Sequence, residues 1–316
     1  MTNKAAAVMS PGYPFHLVCP RCKGEVKLGE RSLDCGCCRA SFDIRDGIPD
    51  LIVGGRFEDE ENAELFAHEE ATCTFTTENY IAPLLERLFA GYARTPRVLS
   101  LGCGLGTDVD LLREAGYDVA GIDCGNRSTA WKRRLHKDRL YLANGMYLPF
   151  EDQTFDLVYC GCVFPHVGVE GDTNRVLPDY AEQRSRIARE MRRVLKTGGH
   201  VMVSSPNRLF PFDLFHGRSP GKQMWPRWNP PSSPFLLSAS DYRSMFEKAG
   251  CGAGTLLPTD NYWGFLRRNQ SLAGKLTALP VKMAFSLSSR PLGKILRGSP
   301  MLPWLVMQFR RLEGGA

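Results

Sequence analysis

The sequence predicts an α/β protein with a doubly wound, mostly parallel sheet, preceded by a small cysteine-rich module. Residues 97–108 carry the first observation: an apolar run leads into glycines at every second position. The second observation is a pair of Cys-x-x-Cys motifs within residues 19–38. A buried strand that enters a glycine turn and then a helix is typical of the first strand and helix of a doubly wound sheet.

Composition and charge limit the class of protein. The 316 residues are 43% hydrophobic, which is enough for a full core, and the length allows about two domains. We find no signal-peptide pattern and no run of about 18 apolar residues, so we expect a cytoplasmic protein. Residues 1–183 hold 19 Lys and Arg against 28 Asp and Glu, whereas residues 184–316 hold 21 against 6. This basic third could meet an anionic substrate, phospholipid headgroups or RNA, or it could be a solvated face.

The cysteines indicate a metal site. Five of the eleven lie within residues 19–38, and an odd count in a cytoplasmic protein favours thiols and metal over disulfides. Four thiolates in two such motifs suit a structural zinc ion; the predicted ligands are Cys19, Cys22, Cys35 and Cys38. Cys37 is a spare that could replace a neighbour. A metal would supply folding energy that so short a module lacks, although a ribbon that folds without metal stays an alternative.

Residues 42–52 read as a strand, a turn at Asp46 and Gly47, and an exit strand. With the cysteine motifs, this segment resembles the zinc-ribbon domain of the tRNA-methyltransferase activator subunit family, which also occurs fused in front of many bacterial methyltransferases. We therefore predict a zinc-ribbon-like domain at 1–53. An acidic linker with leading helices follows at 54–80.

The glycine turn predicts a nucleotide-type ligand. Gly102, Gly104 and Gly106 let the backbone turn sharply and approach a ligand closely. Residues 107–115 read as a helix closed by Gly116, and residues 117–123 read as a second strand. That strand ends in Asp123, 21 residues after Gly102, a position suited to binding a ribose diol. A dinucleotide-binding fold is the natural rival.

Three features favour another family: residues 142–167, residues 189–207, and the spacing Gly-x-Gly-x-Gly. Together they resemble class I S-adenosylmethionine-dependent methyltransferases of the quinone and secondary-metabolite type, with a Rossmann-like sheet and an antiparallel last strand. The match runs from about residue 97 to 207, and it implies a methyltransferase domain at 81–260 with S-adenosylmethionine as cofactor. A cofactor-free relic of the fold is the alternative.

The resemblance also implies the cofactor site. Gly102, Gly104 and Gly106 would line the methionine and ribose side, and Asp123 would take the ribose hydroxyls. Asn144 stands where the family usually has an Asp facing the adenine amino group, and its carbonyl oxygen can accept that bond. The remaining residues implied at this site are Gly145 and Met146 beside the ring, and Cys160 beneath the sulfonium. Ser100 stands where the first motif of the family commonly has an acidic residue. This difference puts in doubt only the hydrogen bonds that support the site.

The acceptor side is less defined. Methyl transfer needs mainly positioning and desolvation, but a hydroxyl acceptor benefits from a general base, for which His166 and His216 are the candidates. Residues 208–237 are rich in Pro, Trp and Phe, including Trp225 and Trp228, and would form a lid over a large, partly apolar acceptor or simply pack on the sheet edge. Residues 261–316 read as a basic amphipathic extension that could contact a membrane surface, cap a pocket or pack on the domain.

The predicted function is therefore biosynthetic methyl transfer from S-adenosylmethionine to a small-molecule or lipid-like acceptor, at oxygen. A ribosomal or transfer RNA base methyltransferase is the alternative, since the ribbon and the basic third suit it. Residues 160–163 read Cys-Gly-Cys-Val, without the Asn-Pro-Pro-aromatic tetrad of amino-methylating enzymes. A non-catalytic adaptor, whose ribbon docks a second protein, is a further alternative.

Overall fold

The computed structural model describes residues 12–56, 63–171, 173–214, 227–262 and 272–313. Its N-terminal part is a four-stranded antiparallel sheet in the order β1 (Val26–Leu28), β2 (Ser32–Cys35), β3 (Ser41–Arg45), β4 (Ile48–Pro49). Asp46 and Gly47, with φ of 54° and 84°, form the predicted turn between β3 and β4, because a tight hairpin needs two left-handed residues. Leu33 and Phe42 face each other across β2 and β3, and both are buried. The predicted strand, turn and exit strand are confirmed.

Helices precede the main sheet. They are α1 (Ala63–Thr76), a short π-helical turn (Thr77–Ile81) and α2 (Ala82–Leu88). Later helices are α3 (Thr107–Glu114), α4 (Tyr180–Val194), α5 (Ala239–Lys248) and α6 (Leu272–Ser288). As predicted, α3 is followed by Gly116 at φ 90°. None of the helices in the described ranges is long and apolar enough to cross a membrane.

The main sheet has seven strands in the order β12–β13–β9–β8–β5–β6–β7. Their bounds are β5 (Arg97–Leu101), β6 (Asp118–Asp123), β7 (Leu140–Leu142), β8 (Phe155–Gly161), β9 (Leu195–Pro206), β12 (Thr255–Leu256) and β13 (Trp304–Arg310). The pairs among β5 to β9 are parallel, and β13 is antiparallel to both of its neighbours. A separate two-stranded hairpin joins β10 (Phe212–Asp213) to β11 (Arg227–Trp228). The predicted doubly wound sheet with an antiparallel last strand is confirmed.

The last strand corrects a predicted boundary. Residues 261–316 were predicted as an extension beyond the domain, but β13 pairs with β9 from Trp304 opposite Pro206 to Arg310 opposite His200. The sheet therefore does not end at residue 260. The strand was missed because it follows a basic, amphipathic run that contains similar apolar clusters. Apolar content alone does not distinguish a short buried strand from such clusters.

The N-terminal module and the main sheet share one hydrophobic core. The Leu51 amide donates to the Leu142 carbonyl at 2.7 Å, so the chain leaving β4 runs parallel to β7. The Val18 amide donates to Pro149 at 3.0 Å, and the rings of Phe15 and Phe155 lie 5.3 Å apart. The module is thus built against the β7 side of the sheet.

The strand order fixes where a ligand can bind. From β5 the chain winds outward to β6 and β7, then crosses back to β8 and β9 on the other side. The carboxyl ends of these five parallel strands lie on one edge, and the crevice opens where the winding direction reverses, between β5 and β8. The residues that follow each strand end are therefore the candidates for a functional site.

Candidate functional site

The glycine turn after β5 requires glycine. Gly102, Gly104 and Gly106 have φ of 78°, 53° and 76°, in the left-handed region. A Cβ on Gly102 would lie 2.2 Å from Cγ2 of Val163, so the chain after β8 packs directly on this turn. The Gly102 amide donates to the Ile122 carbonyl at 2.9 Å, which fixes the turn against β6.

Asp123 joins the end of β6 to the glycine turn. Its Oδ2 accepts the Gly104 amide at 2.9 Å, and its Oδ1 accepts the Gly125 amide at 2.8 Å. The side chain is half-buried. Because a carboxylate has about four acceptor positions, both oxygens can still accept a hydroxyl each.

Side chains beyond β6 hold the turn from the other side. Trp131 Nε1 donates to the Gly104 carbonyl at 2.7 Å, and Arg134 Nε donates to the Leu105 carbonyl at 2.7 Å. Arg134 also pairs with Glu70 of α1 at 2.8 Å, so the leading helix is tied to this region. Sequence reasoning missed these contacts, since no motif marks an indole or a guanidinium that binds a backbone carbonyl.

A buried carboxylate compensates for the absent acid at Ser100. Asp108, in the first turn of α3, accepts a hydrogen bond from the Ser100 hydroxyl at 2.6 Å and one from the Tyr159 hydroxyl. Burial raises the pKa of Asp108, while its hydrogen bonds act in the opposite direction. Ser100 therefore donates to a buried carboxylate on α3, and a carboxylate is present beside this strand after all.

Asn144 follows β7 at the predicted adenine end. Its Oδ1 accepts the Met146 amide at 2.9 Å, and the residue is buried, with Gly145 and Met146 half-buried beside it. The oxygen keeps a second lone pair for another donor. A Cβ on Gly54, in the chain leaving the N-terminal module, would lie 3.7 Å from Asn144 Nδ2. The module therefore contributes chain next to this residue.

These residues fit an adenosyl cofactor. A Cβ on Gly104 would meet, among described atoms, only Cδ of Arg127, at 3.7 Å, so the turn offers close approach there. Thr107 Oγ1 is buried beside the turn and has no hydrogen-bond partner within the described part of the chain. Together with the Asp123 carboxylate, the site offers both close backbone approach and polar groups with spare capacity. The cofactor-site residues stay predictions, which the structure places around one edge of the sheet.

The end of β8 meets a tyrosine that sequence reasoning missed. Cys160 is buried within the strand, and Cys162 has a left-handed φ of 55° and donates its amide to Ser204 at 2.8 Å. The Tyr262 hydroxyl is hydrogen-bonded to the Ser204 hydroxyl. A Cβ on Gly161 would lie 3.5 Å from the Tyr262 hydroxyl oxygen. Burial raises the pKa of Tyr262, so this phenol keeps its proton. No motif in the sequence marks residue 262.

His166 lies in a short helical turn (Phe164–His166) after β8 and is half-buried, with its ring centroid 6.5 Å from that of Phe235. Arg184 of α4 fixes this region, since its buried guanidinium donates to Val167 O at 3.2 Å and Phe235 O at 2.9 Å. The other predicted base, His216, lies outside the described residues.

The described part of the predicted lid exposes aromatic rings. Phe212 and Trp228, on β10 and β11, are 44% and 61% exposed, and their ring centroids lie 5.8 Å apart. Trp225 lies outside the described residues. The rings of Phe212 and Trp228 thus leave part of their apolar surface exposed to solvent.

The four predicted metal ligands converge. All four sulfur atoms lie within 4.8 Å of one another, with Cys19 to Cys38 at 3.6 Å and Cys22 to Cys35 at 3.5 Å. Zinc–sulfur bonds of about 2.3 Å place tetrahedral sulfurs about 3.8 Å apart, close to these distances. The pKa of Cys22 falls to about 6, chiefly because the Gly24 amide donates to its sulfur, whereas burial raises the pKa of Cys19 to about 12. The spare Cys37 is not part of the group.

A doubly wound sheet with a glycine turn and a strand-end carboxylate on one edge defines the class of α/β domains that hold an adenosyl cofactor. The sequence of this region matches a known family. Residues 99–203 match a family described as Methyltransferase domain.

Two relatives named as methyltransferases match part of the chain. A probable S-adenosylmethionine-dependent methyltransferase of Mycobacterium tuberculosis is 30% identical over 129 residues, 38% of this chain and 42% of that protein. The ubiquinone biosynthesis O-methyltransferase of Acinetobacter baylyi is 32% identical over 127 residues, 38% of this chain and 47% of that protein. The chain spans less than half the length of these two relatives.

Among solved structures, a complex between the Haloferax volcanii Trm112 methyltransferase activator and a methyltransferase contains a similar chain. The similarity covers 80% of this chain and 98% of that chain, at 15% identity and a TM-score of 0.43.

Proposed function

We propose that the protein transfers the methyl group of S-adenosylmethionine to an oxygen atom of a small-molecule or lipid-like acceptor. The observation that carries the proposal is the hydrogen bond from the Gly104 amide to the Asp123 carboxylate. This bond connects the glycine turn to the end of β6, within the residues that match the methyltransferase family. The bound cofactor would supply an activated methyl group on a cationic sulfur, so the chain needs to supply chiefly position and exclusion of water.

The roles of the residues follow from their places. Gly104 and Asp123 would hold the ribose, and Asn144 would face the adenine. At the end of β8, His166 would accept the proton of an attacking hydroxyl. Tyr262, whose pKa is raised by burial, would donate a hydrogen bond to the acceptor without losing its proton.

Two observations support an apolar acceptor. Phe212 and Trp228 expose aromatic rings on the lid hairpin. The similarity to the ubiquinone biosynthesis O-methyltransferase supports a hydroxylated ring with an apolar tail, although it covers 38% of the chain. An acceptor of this kind needs apolar surface for its tail and a base for its hydroxyl.

An RNA base is the second candidate acceptor. The charge of residues 184–316, with 21 Lys and Arg against 6 Asp and Glu, favours it because phosphate contacts need Lys and Arg. For the N-terminal module we propose a structural zinc ion bound by Cys19, Cys22, Cys35 and Cys38.

Two measurements test the proposal. Calorimetric titration with S-adenosylhomocysteine should show micromolar binding. Transfer of labelled methyl from S-adenosylmethionine should then favour hydroxylated aromatic acceptors, with and without isoprenoid tails, over ribosomal and transfer RNA. Labelled RNA alone would select the second candidate, and absence of cofactor binding by the folded protein would select a non-catalytic adaptor.

Histidine variants test the base. His166→Gln should lower kcat while leaving cofactor affinity unchanged. His136→Gln, at another half-buried histidine, serves as the control and should retain activity. Equal kcat values in the two variants would remove His166 from the proposal.

A further inference from the structure

The second half of α6 carries an exposed apolar stripe. Leu279, Met283 and Leu287 are spaced four residues apart, so they share one helix face. They are 55%, 65% and 43% exposed. Phe285, on the opposite face, is fully buried. The helix therefore packs on the domain with one side and presents apolar side chains outward with the other.

Further exposed apolar side chains follow the helix in the sequence. Leu292 and Ile295, on a short helical turn (Leu292–Leu296), are 90% and 83% exposed, and Met301 is 68% exposed. We call these side chains the C-terminal apolar patch: Leu279, Met283, Leu287, Leu292, Ile295 and Met301. Soluble domains seldom expose so many large apolar side chains on successive elements unless the surface has a partner.

The charge along the patch segment is basic, and Asp260, which accepts a hydrogen bond from Ser286 of α6 at 3.0 Å, is the acidic group placed against the helix. Residues 261–312 hold nine Lys and Arg and no Asp or Glu. Arg290 and Lys294 are exposed within the patch segment, between Leu287 and Ile295. A second copy of the same surface would be repelled by this charge, and RNA would leave the apolar side chains in water. An anionic lipid surface satisfies both the apolar and the basic side chains.

We propose that the C-terminal apolar patch docks on the surface of a bilayer that contains anionic phospholipid. Leu292 and Ile295 enter the boundary between headgroups and acyl chains, and Arg290 and Lys294 contact the headgroup phosphates. The protein stays at the surface, as a peripheral protein.

The patch is tied to the edge of the sheet that carries the candidate site. The Thr259 amide donates to the Ser288 hydroxyl at 3.1 Å, three residues before Tyr262. Asn207, after β9, donates to the Ser299 carbonyl at 2.8 Å. Docking would thus hold this edge of the sheet near the lipid, which suits a membrane-soluble acceptor. This last step rests on the proposed function, whereas the docking does not.

Vesicle flotation with the full chain tests the docking. The protein should float with vesicles of phosphatidylcholine and phosphatidylglycerol, should float little with phosphatidylcholine alone, and should be released by high salt. The double variant Leu292→Glu and Ile295→Glu should weaken binding about tenfold or more. Leu135→Glu is the matched control, because Leu135 is 73% exposed within another basic run, and it should bind as the wild type does.

Each other outcome overturns the proposal. No flotation with anionic vesicles, or undiminished flotation of the double variant, would show that the patch does not dock on lipid. Retention of a structured RNA without vesicle binding would assign the surface to RNA, and dimers that the double variant abolishes would assign it to self-association. S-adenosylhomocysteine binding, measured on the same samples, reports separately on the proposed function and on folding.

Discussion

Replacing Asp123 with alanine tests the centre of the candidate site. The carboxylate has two tasks: it accepts the amides of Gly104 and Gly125 at 2.9 and 2.8 Å, and it would accept the two ribose hydroxyls. Removal should therefore weaken the cofactor complex and loosen the glycine turn. The two effects differ in size and can be measured separately.

The magnitudes follow from the hydrogen bonds. Bonds to a charged group contribute about 1.5–3 kcal/mol each, so two ribose bonds amount to about 3–6 kcal/mol. Since Asp123 is half-buried, the lower end applies, which corresponds to about a hundredfold loss of affinity. Water can replace the carboxylate at the two amides, so the free energy of unfolding should fall by only about 1–2 kcal/mol.

The assay pairs calorimetric titration of S-adenosylhomocysteine with urea unfolding. Asp110→Ala is the control, because Asp110 also accepts backbone amides, that of His136 at 3.0 Å and that of Leu135 at 3.4 Å, and its carboxylate reaches the glycine turn through Arg134, 3.9 Å away. It should lose similar stability and keep its affinity. Unchanged affinity in Asp123→Ala would refute the ribose assignment. An equal loss in Asp110→Ala would show that general loosening of the loops is the cause.

Three further outcomes are expected. Gly102→Ala should destabilise the protein in urea about 2 kcal/mol more than Gly116→Ala, because both have positive φ but only Gly102 lacks room for a Cβ; equal losses would contradict this. Elemental analysis of the wild type should find one zinc per chain, and Cys22→Ser should lose this zinc and melt at a lower temperature. Cys37→Ser should keep the zinc, and loss of zinc in both variants would contradict the proposed ligand set. Burial, and to a smaller extent the charge of Arg310, lowers the pKa of His200 below its ordinary 6.5, so protonation of this histidine favours the unfolded chain. The free energy of unfolding should therefore fall as the pH drops below 6.5, by up to about 1.4 kcal/mol per pH unit. Urea unfolding at several pH values should show a larger fall in the wild type than in His200→Gln.

The parts of the fold that the sequence predicts are those marked by local chemistry. Left-handed glycines mark the turn after β5, and Gly116 marks the end of α3. Ser238 caps α5 through a capping box with Asp241, a contact between residues only three positions apart in the sequence. The paired cysteine motifs predict the sulfur cluster, because metal ligands need only the right spacing on two turns.

The parts that it does not predict depend on contacts between distant segments. Asp108 and Ser100 approach only when α3 packs on β5, and Tyr262 reaches Ser204 across 58 residues. Arg184 binds carbonyls of two loops that its own helix does not determine. Side chains with these roles look like ordinary polar residues in the sequence, since their partners are fixed by the tertiary fold alone.

The parallel pairing of the Leu51 segment with β7 protects the protein against aggregation. Without this pairing, β7 would be an unprotected edge strand, with free amides and carbonyls that can pair with another molecule. The N-terminal module therefore acts as a cover for the sheet as well as a neighbour of Asn144. Opening of the module, for example after loss of the proposed zinc ion, would expose that edge together with side chains of the shared core such as Phe150 and Phe155. Metal depletion should thus appear as aggregation through this edge, together with a loss of stability of the sheet.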